Sequence, residues 1–157
     1  MLKIQRIISG GQTGVDRAAL DFAIAQQSPH GGWCPAGRLA ADGPLAACYQ
    51  LHETESSGYR QRTKRNVESA DATLIIYRHQ LEGGSLLTRD LAIKQGKPLL
   101  LCDLQTTPQA QLAAWQNGLA SHEIAILNIA GPSEARCPGI YVQTTALLAL
   151  LWGTENK

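Results

Sequence analysis

Charged residues are scarce in this sequence. They make up 17% of the 157 positions, with 14 Lys and Arg against 13 Asp and Glu, so the net charge is +1 at pH 7. A balance this close to zero gives no general attraction to nucleic acid or to an anionic membrane surface. Recognition of an anion would therefore need a local site, and we expect neither nucleic acid nor a membrane as a partner.

Long hydrophobic runs are missing as well. The longest run of apolar residues, at 146–152, is far too short to span a bilayer, and it is interpreted as the packed face of a helix. Residues 1–4 lead straight into a predicted strand, without the apolar stretch and small-residue cleavage site of a signal peptide. We expect a cytoplasmic protein.

The sequence also lacks the usual patterns of metal sites and hydrolase sites. Its four Cys and four His include no C-x-x-C pair, and their spacings match no zinc site. The G-x-S-x-G turn of serine hydrolases is absent too. We expect reduced cysteines and no metal.

Strand and helix patterns alternate along the chain, which is long enough for one domain over residues 1–157. Between them, residues 28–59 are rich in Gly, Pro and Ser and predict a long, ordered loop of the kind that carries function. The class is α/β, with a three-layer α/β/α sandwich and a mainly parallel, Rossmann-like sheet. The predicted strands are 4–8, 72–78, 99–103 and 124–129, and the predicted helices are 15–25, 60–70, 86–95, 108–119 and 145–152.

Three helix ends carry recognisable signals. Thr13 is the predicted N-cap of the first helix, and Asp16 three residues later completes a capping-box pattern. Gly96 stops the helix at 86–95, and Thr144 or Thr145 begins the last helix.

Two glycine turns follow predicted strands and precede predicted helices. They are Ser9-Gly10-Gly11 and Glu82-Gly83-Gly84-Ser85. Ligands of parallel sheets bind beyond the carboxyl ends of the strands, where helix N-termini offer unpaired N–H groups to phosphate. The turns therefore predict a pocket for a phosphate-bearing small molecule, although the same glycines could simply make tight turns. Neither the G-x-G-x-x-G fingerprint nor a Walker A loop is present, which disfavours NAD and ATPase chemistry.

Three further features are candidates with two interpretations each. Asp16 could complement the helix dipole or accept hydrogen bonds from a ligand. Arg62 and Asn66 share one helix face in a basic segment, which is either a solvated surface or a site for an anion. Arg38 could clamp a phosphate and Trp33 could stack on a flat ring, or both could belong to a loop pinned by a buried tryptophan.

Five segments together resemble the family of proteins named putative molybdenum carriers, within the SLOG group of Rossmann-like, nucleotide-ligand proteins. The resemblance implies a homo-oligomer, either dimer or tetramer, that binds a phosphorylated heterocycle, with molybdenum cofactor as cargo. The segments are 8–23, 31–43, 49–76, 82–92 and 128–141. The ligand-binding residues that the resemblance implies are Gly10, Gly11, Thr13, Gly14, Asp16, Arg38, Arg62, Thr63, Asn66, Gly83, Gly84, Ser85 and Thr88.

The resemblance leaves enzyme activity open. Some SLOG enzymes resembling phosphoribohydrolases carry a P-G-G-x-G-T-x-x-E loop, of which this chain keeps the Gly-Gly pair and has Asp90 in place of the glutamate. Alternatives to a carrier are a hydrolase of nucleoside monophosphates and a nucleotide-ligand sensor domain. No catalytic residue is assigned, and Asp90 and Asp16 are the candidates.

Overall fold

The computed structural model describes residues 3–106 and 108–153, with the side chains of 108–110 left aside. The ends of the predicted single domain, together with residue 107, lie outside that part. The helices are α1 (Val15–Ala25), α2 (Tyr59–Ser69), α3 (Gly83–Lys94), α4 (Pro108–Ala120) and α5 (Ile140–Trp152). The strands are β1 (Arg6–Ile8), β2 (His30–Gly31), β3 (Trp33–Cys34), β4 (Leu39–Ala40), β5 (Gly43–Pro44), β6 (His52–Glu53), β7 (Ala72–Tyr77), β8 (Leu99–Asp103) and β9 (Ile126–Ala130).

Five of these strands form one parallel sheet in the order β2-β1-β9-β7-β8. The last strand in sequence is therefore inserted between the first and the seventh. If β9 preceded β1 in the chain, the order would read 3-2-1-4-5, the order of the doubly wound nucleotide-binding fold. The strand order is that of a Rossmann-like sheet whose first strand has been moved to the carboxyl end of the sequence.

The helices cover both faces of the sheet, which confirms the predicted α/β class and its three layers. Helices α1, α4 and α5 pack together on one face, and α2 packs on α3 on the other. Strand β7 shows why the prediction succeeded, because Leu74, Ile75 and Ile76 are all buried and the continuous apolar run faces a helix layer on each side.

Three predicted helix starts are wrong. Helix α3 begins at Gly83 rather than at residue 86, so the glycines of the second turn are its first residues. Helix α1 has Gly14 as its N-cap, with no side-chain capping bond, and the Thr13 hydroxyl instead accepts the Glu134 amide. Helix α5 begins at Ile140 rather than at Thr144 or Thr145, because Gly139 turns the chain into the helix with a positive φ of 88°. The prediction that Gly96 ends α3 is confirmed, since Gly96 follows the C-cap with a φ of 66°.

The long segment at 28–59 is more ordered than a loop. It contains the edge strand β2 and two small ladders, β3 with β6 and β4 with β5. Leu45 and Leu51 are buried there against Leu20 and Cys34, in a second small core beside the sheet. Within the described residues, no helix is long and apolar enough to cross a membrane.

Candidate functional site

A cleft lies at the carboxyl edge of the sheet, where β1, β9 and β7 end and where α1 and α3 leave on opposite faces. Its inner part, the inner cleft, has a volume of about 50 Å³, and it opens into an outer cleft of about 290 Å³. The inner cleft is lined by Gly10, Asp16, Arg62, Thr63, Asn66, Gly84, Ser85, Thr88, Asn128, Ala130 and Gly131. This is the switch point at which open parallel sheets bind their ligands.

Most of the predicted ligand residues meet at this cleft. Gly83 joins the outer cleft, whereas Gly11, Thr13, Gly14 and Arg38 contribute to neither part. The predicted residues that line the inner cleft are Gly10, Asp16, Arg62, Thr63, Asn66, Gly84, Ser85 and Thr88. Segments that are far apart in sequence thus converge, as the two glycine turns predicted.

In the first glycine turn and the residues that follow it, the backbone N–H groups donate hydrogen bonds to acceptors within the same segment. The Gly11 amide donates to the Ser9 hydroxyl at 3.4 Å, and the Gln12 amide donates to the Asp16 carboxylate at 3.3 Å. The Thr13 amide donates to the Gln12 side chain at 2.9 Å. A phosphate would have to displace these bonds, so the turn presents the Asp16 side chain to the cleft rather than an open row of N–H groups.

Two glycines of that turn are explained by packing. Gly11 and Gly14 have φ values of 79° and 83°, which glycine adopts far more readily than other residues. A Cβ on Gly11 would lie 2.8 Å from a methyl of Leu45 and 2.9 Å from one of Leu51, and a Cβ on Gly14 would meet the Pro132 carbonyl. For these two positions the tight-turn interpretation accounts for the glycine.

The second glycine turn is arranged in the opposite way. It forms the N-terminus of α3, and the amides of Gly83 and Gly84 have no acceptor anywhere in the described part of the chain. The Ser85 hydroxyl is 5% exposed and also has no partner there. A Cβ on Gly84 would meet nothing within 4 Å, so the approach to these donors is open. This end of α3 therefore presents hydrogen-bond donors that the described residues do not use.

Arg62 carries positive charge into the cleft. Its guanidinium donates to the Gly10 carbonyl at 2.7 Å and lies 3.6 Å from the Asp16 carboxylate. The other cations of α2 turn elsewhere: Lys64 pairs with Glu68, and Arg65 lies over the ring of Trp33. The basic segment is therefore divided, with Arg62 facing the cleft and its neighbours on the outer surface.

Asp16 is the acidic group of the inner cleft. Its side chain is nearly fully buried, and burial raises the pKa of the carboxyl above its usual range. The Arg62 guanidinium and the Gln12 amide lower that pKa and offset only part of the rise. The cleft thus contains a carboxyl group that holds its proton to a higher pH than a free aspartate does, which is a property of acid–base catalysts and of buried hydrogen-bond donors alike.

Other polar residues of the inner cleft fix its walls. The Asn66 side chain accepts the Trp33 amide at 2.8 Å and donates to the Trp33 carbonyl at 3.0 Å, which ties α2 to β3. Thr88 donates to the Gly84 carbonyl at 2.7 Å, and Thr63 donates to a carbonyl one turn earlier in α2. The hydroxyl protons of Thr88 and Thr63 are donated within their own helices, so these two residues shape the cleft.

The observed strand order agrees with the family to which this chain is similar. Residues 7–152 match the model of the Circularly permutated YpsA SLOG family. The chain belongs to this family. A crystal structure of a protein named "Putative molybdenum carrier protein", from Syntrophus aciditrophicus SB, is 46% identical, covers 96% of each chain and superposes with a TM-score of 0.93. No curated protein sequence matches this chain.

In this member of the family, Arg38 and Trp33 do not reach the cleft. The Arg38 guanidinium donates to the carbonyls of Leu45, Ala46 and Tyr49, so it holds the loop of β4 and β5 together. The Trp33 indole donates to a hydroxyl of α2 on the outer surface. The structure thus favours the interpretation of a pinned loop over a phosphate clamp and a stacking platform, although Trp33 is only partly buried.

The catalytic candidate Asp90 is also away from the cleft. It lies on the exposed side of α3, and its carboxylate pairs with the neighbouring Arg89 at 2.9 Å. Of the two candidates, only Asp16 faces the cleft. Among the residues of the described ranges, no group of three or more His, Cys, Asp and Glu side chains could hold a metal ion.

The circular permutation brings residues to the site that the sequence pattern did not single out. Asn128 and Gly131 line the inner cleft because β9 lies beside both β1 and β7, and Tyr59 and Arg136 line the outer cleft. The Arg136 guanidinium carbon lies 3.1 Å from the position of a Cβ on Gly83. The signal available in the sequence was the Gly-Pro-rich loop that follows the last predicted strand. The place of that strand in the sheet could not be predicted from chain order.

Proposed function

We propose that this chain is a binding protein for a phosphorylated heterocyclic small molecule, with molybdenum cofactor or a related nucleotide as the ligand. The observation that carries the proposal is the Ser85 hydroxyl, which is buried, unpartnered and directed to the same cleft as the free amides of Gly83 and Gly84. The name of the 46%-identical relative supports a molybdenum-containing cargo.

The phosphate is assigned to the N-terminus of α3. Two N–H groups, one hydroxyl and the positive end of the helix dipole suit an anion with several acceptor oxygens. Arg136 lies against Gly83, and no hydrogen-bond or ion-pair partner of its guanidinium occurs within residues 3–106 and 108–153. It is therefore available to complete the coordination. A buried hydroxyl without a hydrogen-bond partner destabilises the fold, and a phosphate oxygen would supply that partner.

The heterocycle is assigned to the outer cleft. Tyr59 is half exposed on its wall. The Arg62 guanidinium lies over one face of its ring, 5.1 Å from the ring centre, and the heterocycle is assigned to the other face. Aromatic rings stack favourably on such a surface. A volume of about 290 Å³ is at the small end of ligand sites, which fits a ring that remains partly exposed.

The test uses molybdenum cofactor released from a denatured molybdoenzyme. The protein is incubated with the cofactor, separated by gel filtration and assayed for the fluorescence of the oxidised pterin. We expect retention by the wild type and loss of retention in Gly84→Val, whose side chain would fill the open approach to the donors of α3. The matched control is Ala113→Val, which adds the same branched side chain at an exposed position of α4.

Three results are informative. Retention by the wild type and the control but not by Gly84→Val supports the proposal. Retention by all three proteins would mean that the α3 end is not the phosphate site. If the wild type retains no pterin and inorganic phosphate produces no heat on titration, the binding function itself is wrong.

A hydrolase of nucleoside monophosphates is the second candidate, and Asp16 is the observation that favours it. A carboxyl with a raised pKa beside the phosphate site could protonate a departing base. The wild type is incubated with AMP and related monophosphates, and free base is measured by chromatography. Sustained release that Asp16→Asn abolishes, and that Asp90→Asn on the exposed side of α3 leaves intact, would replace the carrier function by a hydrolase. Absence of free base would exclude hydrolysis of the nucleotides used.

A further inference from the structure

A third cavity continues from the outer cleft beyond the ends of β7 and β8. This lateral chamber has a volume of about 540 Å³. It shares Glu82, Ser85, Pro132 and Arg136 with the outer cleft, so the two spaces meet at the N-terminus of α3. The buried, unpartnered Ser85 hydroxyl lines both of them. The chamber is therefore an extension of the phosphate site.

Two guanidinium groups line the lateral chamber. Arg78, directly after β7, donates through Nε to the Cys137 sulfur at 2.8 Å and through Nη2 to the Pro138 carbonyl at 2.5 Å. Arg136 lies at the junction with the outer cleft. Neither guanidinium has a carboxylate within ion-pair distance in the described ranges. Neither positive charge is therefore paired with a carboxylate among the described residues.

The other groups on the wall do not compensate for this charge. Glu82 is the single carboxylate among the lining residues, and it accepts a hydrogen bond from the Gln80 amide. The His79 ring pairs with the Gln105 amide at 3.0 Å. One carboxylate faces two guanidiniums and the positive end of α3, so an anion is favoured here.

We propose that the lateral chamber binds a second phosphate, so that this protein prefers diphosphate esters to monophosphates of the same class of ligand. The proposal rests on the proposed function, because it extends the same site. One phosphate lies on the α3 amides and Ser85, and the next lies between Arg136 and Arg78. Arg136 is common to both spaces, so adjacent phosphates can share its planar, forked guanidinium.

The positive charge exceeds what one phosphate needs. Arg62 lies 3.6 Å from Asp16 in the inner cleft, away from the lateral chamber, and the α3 end with Arg136 provides the donors for the first phosphate. Arg78 is only half-buried, and two hydrogen bonds, to the Cys137 sulfur and the Pro138 carbonyl, fix its orientation at the chamber wall. Those two bonds hold the loop at Cys137 and Pro138, whereas the Arg78 Nη1 group has no hydrogen-bond partner in the described ranges and is the group assigned to the second phosphate.

The experiment compares pyrophosphate with inorganic phosphate, which avoids the unidentified heterocycle. Both are titrated calorimetrically into the wild type, Arg78→Gln, Arg78→Lys and the control Arg89→Gln, whose residue lies on α3 outside the chamber. We expect the wild type and the control to bind pyrophosphate about tenfold more tightly than phosphate. Arg78→Gln should lose most of that preference, and Arg78→Lys should keep part of it because the charge remains. Circular dichroism of each variant confirms folding.

The failures can be told apart. If the wild type binds phosphate and pyrophosphate equally well, the second site is wrong and the proposed function stands. The same conclusion follows if Arg78→Gln weakens both ligands by the same factor. If the wild type binds neither anion, the phosphate site on α3 is wrong, and the lateral chamber fails with it. If Arg78→Gln does not fold, the comparison of Arg78→Lys with the wild type decides, and an unchanged preference refutes a role for the bidentate arginine.

Discussion

Replacing Ser85 by alanine should make this protein more stable and a poorer binder at the same time. A buried hydroxyl without a partner costs about 1–3 kcal/mol, and its removal returns part of that cost. We take the lower end, about 1 kcal/mol, because alanine leaves a small void where the buried hydroxyl was. For a domain of this length, that gain corresponds to an increase in Tm of about 2–4 °C.

The same substitution removes a donor to the bound phosphate. A hydrogen bond to a charged group contributes about 1.5–3 kcal/mol, so phosphate affinity should fall roughly 10- to 100-fold. Calorimetric unfolding gives the change in stability, and titration with inorganic phosphate gives the change in affinity. A gain in one and a loss in the other is a signature that a purely structural serine would not produce.

Thr144 provides the control. Its hydroxyl is fully buried and also unpartnered, but it lies on α5 in the opposite helix layer. Thr144→Val keeps the shape of the side chain, so it should raise stability in the same way and leave phosphate affinity unchanged. If Ser85→Ala lowers stability, or if it binds phosphate as tightly as the wild type, the assignment of this hydroxyl to the ligand is refuted.

Three other outcomes follow from the structure. Because the pKa of Asp16 is higher in the folded than in the unfolded chain, its ionisation opposes folding, so stability should fall as the pH rises above about 3.9. Urea unfolding of Asp16→Asn should lack this fall, and an unchanged pH dependence would contradict the assignment. Iodoacetamide at pH 8 should alkylate the exposed Cys48 and spare Cys102, which is buried and has a pKa raised to about 12; mass spectrometry of tryptic peptides checks this. Gly131→Ala should lower the free energy of unfolding by about 1–3 kcal/mol, because its Cβ would overlap the Ile76 carbonyl, and chemical unfolding that shows no loss would contradict that packing.

Much of the fold could be predicted because its signals are local. The residues of β7 form a continuous apolar run without alternating polar positions. Only a strand covered by a helix layer on each face buries all of them. Gly96 ends α3 because a positive φ follows the last helical residue. The starts of α1 and α5 could not be predicted in this way, since glycines rather than threonines make the entry turns and a Thr13 hydroxyl has several possible partners.

The sequence by itself determined that strands and helices alternate in this protein and that two glycine turns follow strands. Both properties depend on neighbours within a few residues. Only the tertiary structure decided which of the two turns has backbone N–H groups without an acceptor. Before α1, the Asp16 carboxylate accepts a hydrogen bond from the Gln12 amide. At the start of α3, the amides of Gly83 and Gly84 have no acceptor among the described residues and lie beside the buried Ser85. Tertiary structure also placed β9 between β1 and β7, because strand order depends on packing across the whole sheet and is independent of chain order.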